Sequence, residues 1–146
     1  MSADFAVFDP ASAPKDGLAF RKWYEDRMEW DESENVDDPA LLSSSLRSWY
    51  TEMTSQFPDF VLTDTDDRNG MDYSFTNGFI YCSMPSGPGD ANSAWSLAKR
   101  KAKQFGVGTY DCMSDDGRDN SCIVFPDGPL PNPPSFFSRL FGKAKD

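Results

Sequence analysis

Apolar positions in this chain fall into two periods, one fitting short strands and one fitting helices. The first run, DFAVF at 4–8, predicts a strand that Asp9, Pro10 and the following ASAP terminate. Asp16 then suits the N-cap of a helix over 17–30. In that helix Phe20, Trp23, Tyr24 and Trp30 fall near the i, i+3, i+4 spacing of one face. An acidic connector, DESENVDD at 31–38, leads to a second helix over 39–57, with Asp38 as its cap and Pro39 in its first turn. Leu42, Leu46, Trp49, Tyr50, Met53 and Phe57 give this helix the best-formed apolar stripe in the chain, and Pro58 ends it.

Residues 59–71 are polar and predict a loop. A hairpin follows: Tyr73–Phe75, a turn at Thr76-Asn77-Gly78 whose Asn-Gly pair favours positive φ, then Phe79–Ser83. After a loop at 85–90, a third helix is expected over 91–105. Ala91, Ala94, Trp95, Ala98, Ala102 and Phe105 lie on one of its faces, and Gly106 sits where a helix commonly stops. Lys99, Arg100, Lys101 and Lys103 occupy its C-terminal half, the end where cations suit the helix dipole. Val107–Met113 reads as a strand, SDDGRDN at 114–120 as a turn, and Cys122–Phe125 as a partner strand stopped by Pro126. The order β-α-α-β-β-α-β-β predicts an α+β fold: a mostly antiparallel sheet of about five short strands with three helices packed on it.

This domain is expected to span 1–126. DGPLPNPPS at 127–135 reads as an extended proline-rich linker, and 136–146 as a small amphipathic tail. Phe136, Phe137, Leu140 and Phe141 lie on one side of the tail, with Arg139, Lys143 and Lys145 on the other. Three readings of the tail stand: docking on the domain, a mobile end, or contact with a membrane surface.

Composition narrows the chemistry. Of 146 residues 14% are aromatic, too many for a disordered chain. The net charge of −10 speaks against binding nucleic acid through its phosphates or docking on an anionic membrane. There is no histidine, which excludes Ser-His-Asp and Cys-His nucleophile pairs and any His-ligated metal. Cys82, Cys112 and Cys122 are odd in number and form no CxxC. With no apolar N-terminal h-region, that points to a reduced, cytoplasmic protein whose thiols pack as small hydrophobes. No run of apolar residues is long enough to span a membrane. The sequence offers no phosphate-cradling glycine motif, so no cofactor is expected.

Charge is unevenly placed. Residues 1–75 hold 17 acids against 6 bases, whereas 76–146 hold 7 against 8. The densest stretch carries Glu25, Asp26, Glu29, Asp31, Glu32, Glu34, Asp37 and Asp38, with Arg27 as the only opposing base. Crowded like charges repel in the folded state. One reading is a solvated helix end that keeps the chain soluble. The other is an electronegative docking face for a basic partner, made by Glu25, Glu29, Trp30, Asp31, Glu32, Glu34, Asp37 and Asp38. Asp64–Gly70 superficially resembles a calcium loop. With Gly70 at the loop's glycine position, Thr65 and Thr76 fall where the first and last ligands belong, so no metal site is expected. Asp115-Asp116-Gly117 reads as a hairpin turn.

Several segments occur together in a recognisable order: FAVFDPASAP at 5–14, FRKWYEDRMEW at 20–30, DDPAL at 37–41, LRSWYTEMTSQFP at 46–58, GVGTYDCMSDDG at 106–117 and VFP at 124–126. Over about residues 4–126 the chain resembles small acidic bacterial proteins encoded beside polymorphic toxins, including toxins of contact-dependent and type VI secretion systems. The resemblance implies a cytoplasmic immunity protein, not an enzyme, that binds a basic toxin domain stoichiometrically and occludes its active site. It does not cover the proline linker or the tail, and it assigns no contact residues. The alternatives are an acidic interaction module or nucleic-acid mimic that occupies a DNA- or RNA-binding protein, and an enzyme using carboxylates or Cys112.

Overall fold

The central strand of the sheet comes from the first apolar run. In this computed structural model, which describes residues 4–29, 40, 42–59, 70–76, 78–83 and 88–132, β1 is Asp4–Phe8. It pairs antiparallel with two neighbours, β3 (Phe79–Ser83) and β4 (Gly108–Tyr110). A strand walled in on both sides and covered on both faces buries Phe5–Phe8, which is why that run is continuously apolar, and only Asp4 at its start is half-exposed. The remaining strands are β2 (Asp72–Thr76), β5 (Ile123–Phe125) and β6 (Gly128–Pro129). They complete a six-stranded sheet in the order β2-β3-β1-β4-β5-β6, with antiparallel pairing throughout.

Among the described residues three α-helices cover the sheet: α1 (Gly17–Met28), α2 (Ser44–Thr54) and α3 (Pro88–Phe105). The fold is α+β with an open antiparallel sheet, as the periodicities predict. Alternation along the strands divides the core in two. Phe5, Val7, Tyr73, Phe75 and Ile80 face α2 and α3, where Leu46, Trp49, Met53, Ala94 and Ala98 meet them. Ala6, Phe8, Phe79, Tyr110, Ile123 and Phe125 face the side covered by Phe20 of α1. The small residues of α3 let α2 lie close enough for Trp49 Nε1 to donate to the Ala98 carbonyl at 3.0 Å. The predicted hairpin forms, with Gly78 at φ +77° in its turn.

Several boundaries differ from the sequence reading. The second helix begins at Ser44, not near 39, because the Ser43 hydroxyl accepts from Leu46 N–H and caps it there. It ends at Thr54, although Phe57 stays buried. α1 stops at Met28. α3 starts earlier than expected, with Pro88 in the first turn, where its missing N–H costs no helical bond. β4 is shorter than the apolar run that predicted it, since the chain turns after Asp111. Residues 127–132, read as the start of a linker, fold back: β6 pairs with β5, Leu130 is buried and its N–H donates to Ile123 O. Proline is tolerated there because β6 is an edge strand. Asp59, expected in a loop, is buried and accepts from the Tyr50 hydroxyl at 2.9 Å. The Asp64–Asn69 stretch, residues 133–135 and the tail with Phe136, Phe137, Leu140 and Phe141 lie outside the described residues. No helix among the described residues is long and apolar enough to cross a membrane.

Candidate docking face

The helical period sorts α1 into two faces. Phe20, Trp23 and Tyr24 turn inward. Phe20 meets Phe8 edge-on at 4.9 Å, Trp23 meets Phe79 at 5.8 Å, and Tyr24 meets Tyr110 at 4.7 Å. These aromatics are committed to the core and are not available as interface anchors. Spacing of i, i+4, i+7 and i+11 places Leu18, Lys22, Glu25 and Glu29 on the opposite, exposed stripe, with Asp26 beside it.

Two of the sequence-predicted residues, Glu25 and Glu29, are thus brought together on one exposed face. Trp30, Asp31, Glu32, Glu34, Asp37 and Asp38 lie outside the described residues. Glu25, Asp26 and Glu29 make no side-chain hydrogen bond or ion pair among the described residues, and Lys22 on the same stripe forms none with them. All three acids fall in the last turn or at the C-cap of α1, where the helix dipole is negative and carboxylates are disfavoured. The one base of that turn, Arg27, lies over the Trp23 ring at 5.4 Å. Among the described residues, this leaves three exposed carboxylates without an opposing partner at the negative end of the helix dipole.

The acids after β4 are used differently. Asp115 accepts a fork from Arg21 (Nε at 2.8 Å, Nη2 at 2.9 Å), the Tyr110 hydroxyl at 2.5 Å and the Gly117 N–H at 2.8 Å. Burial alone would raise its pKa, but these donors and the guanidinium reverse that and hold it at about 2. Asp116 accepts from the N–H groups of Arg118 and Asp119, and Asp119 from that of Ser121. Asn120 closes the cluster. Its side chain accepts from Arg21 Nη1 at 2.8 Å and donates to Pro131 O at 3.1 Å, and its backbone N–H donates to Asn132 Oδ1 at 2.6 Å. Gly17 must be glycine, since a Cβ there would collide with the Asn120 amide. The predicted hairpin turn is therefore a knot fastening the start of α1 to the β5–β6 end of the sheet. Arg21 and Asn120 carry it, and sequence reasoning missed both. The one local hint was a base on the inner half of α1.

The thiols are not activated. Burial pushes Cys82 well above its ordinary value, raises Cys112, and lifts Cys122 to about 11. Cys82 is fully buried, whereas Cys112 and Cys122 are half-buried. Among the described residues no three Cys, Asp or Glu side chains gather as a metal-binding set. Comparison with protein-family models, curated proteins and solved structures finds no match for the chain.

Proposed function

We propose that this chain is a cytoplasmic immunity protein that neutralises a basic toxin domain by binding and occluding its active face, without catalysis of its own. The observation that carries this reading is the set Glu25, Asp26 and Glu29: exposed, without a side-chain partner among the described residues, and set against the helix dipole. Such charge adds nothing to stability, so a role in meeting an opposite charge is its physical rationale. The acids that follow in sequence, Asp31, Glu32, Glu34, Asp37 and Asp38, extend the same negative run. A face of this kind accelerates encounter with a cationic partner more than it tightens the final complex.

The test is co-expression with the product of the neighbouring gene as the candidate toxin domain. The expected result is protection of the cell, a 1:1 complex by size-exclusion chromatography, and an association rate that falls steeply with salt. Charge reversal at Glu25, Glu29, Asp31 and Glu32 slows association and leaves the fold intact. Absence of both protection and complex overturns the reading. Protection with a salt-independent association rate overturns the acidic face as its means.

A further inference from the structure

Among the described residues two large apolar side chains are left in water, Leu18 at 80% exposed and Met113 at 60%. One exposed hydrophobe needs no explanation. These two, however, flank the same helix. Leu18 opens the outward stripe of α1 that continues through Lys22 to Glu25 and Glu29. Met113 belongs to the turn after β4, and that turn is fastened to α1 on both sides of it. Cys112 packs in the same core cluster as Tyr24, and Asp115 takes the fork from Arg21. The Tyr110 hydroxyl and the Gly117 N–H hold Asp115 in their turn. Met113 is therefore presented to solvent at a fixed place beside α1. Asp111, bonded to the Ser114 hydroxyl, and Asp116, bonded to the Arg118 and Asp119 N–H groups, stand near it in sequence as fixed acids. Along the helix, a rise of about 1.5 Å per residue separates Leu18 from Glu29 by about 16 Å, well within one protein–protein patch.

We infer that Leu18 and Met113 are the apolar anchors of the docking face whose acidic end is Glu25, Asp26 and Glu29. The occupant is a basic protein domain with apolar recesses beside its cationic surface. The inference rests on the docking reading above and separates two roles within it. Carboxylates act at a distance, so they bring the partner in and orient it. Leu18 and Met113 act only on contact, when their surface leaves water, so they set how long the complex lasts. Charge complementarity commits the occupant: acids stand at the end of α1 and around Met113, with Lys22 and Arg118 as the opposing exposed bases. Apolar contacts rimmed by charge are the usual anatomy of an interface. The Arg21–Asp115 fork sets the Met113 turn against α1 in advance, so little ordering is left for binding to accomplish.

The experiment measures association and dissociation rates of the full chain with the product of the neighbouring gene as the candidate toxin domain, at low and high salt. Leu18→Ala and Met113→Ala are each expected to raise koff about tenfold and to leave kon and its salt dependence unchanged. The double variant Glu25→Lys/Glu29→Lys is expected to do the reverse, slowing kon and flattening its salt dependence with koff little altered. Leu18→Met keeps the apolar bulk and should keep the parent koff. Both anchors are exposed, so the urea midpoints of their alanine variants should match the parent. An unchanged koff in either alanine variant, beside a slowed kon in the acid variant, overturns the anchors and leaves the docking reading standing. No complex with that product overturns both.

Discussion

Asp115 and Glu29 carry the same charge in opposite circumstances. The carboxylate of Asp115 is 8% exposed and receives four donors from Arg21, Tyr110 and Gly117. Glu29 stands in water at the end of α1 with no side-chain partner among the described residues. The same division extends to their neighbours. Asp116 and Asp119 cap backbone N–H groups, whereas Glu25 and Asp26 cap nothing among the described residues. A high count of acids is therefore two populations. One replaces water with fixed donors and shapes the chain. The other keeps its water and is free to meet a partner.

The sharpest way to break this comparison is to delete the buried acid. Asp115→Ala leaves the Arg21 guanidinium, 16% exposed, without its fork, and breaking such a pair is expected to cost about 3 kcal/mol. The urea midpoint reads the loss; a cost near zero would place Asp115 with the idle acids. Titration gives a milder version of the same cut. The folded pKa of about 2 lies below the ordinary 3.8. The carboxylate therefore stabilises the fold fully above about pH 4, and that stability is lost as pH falls through the folded value. The difference corresponds to about 2 kcal/mol. Stability curves of the parent chain and Asp115→Asn should run parallel above about pH 4 and converge by about that amount towards pH 2. Curves that stay parallel would assign the acid sensitivity to other carboxylates.

A smaller effect separates the two ends of α1 itself. Asp16 caps the N-terminus, its Oδ2 accepting from the Ala19 N–H at 2.9 Å, so Asp16→Ala is expected to cost about 1 kcal/mol. Thermal unfolding at neutral pH checks it, and the sign matters more than the size: an acid removed from this end must destabilise.

The sequence makes the local layer of this molecule legible and hides the non-local one. The stripe from Leu42 to Phe57, the Asn-Gly hairpin and the alanine face of α3 follow from spacing alone, because one element's burial dictates its own pattern. The position of β1 at the centre of the sheet does not, since its neighbours, β3 and β4, come from far along the chain. Nor does the fate of 127–132. Prolines suggest an extended linker, yet an edge strand has no inward N–H to lose at Pro129, and Leu130 is the apolar residue that anchors it. At the candidate face, Glu25 and Glu29 are readable as exposed from helical period, and Trp23 and Tyr24 as core. The partnership of Arg21 with Asp115 spans 94 positions and leaves no periodic trace. That is why SDDGRDN reads as an ordinary turn when it is in fact a tie between α1 and the sheet.

The smallest expected effect is also the most discriminating, because its sign is reversed. Glu25→Lys and Glu29→Lys place cations where the dipole of α1 favours them, so each is expected to stabilise the fold by about 0.5 kcal/mol at low salt. The gain should fade as salt screens it, since both positions are exposed. If the same double variant associates more slowly with the proposed toxin partner while unfolding at a higher midpoint, stability and binding have been pulled apart at one site. That is the behaviour of a face kept for a partner at the fold's expense. Loss of stability on reversal would instead mean that these acids hold the structure, and the physical basis for reading the end of α1 as a docking face would be gone.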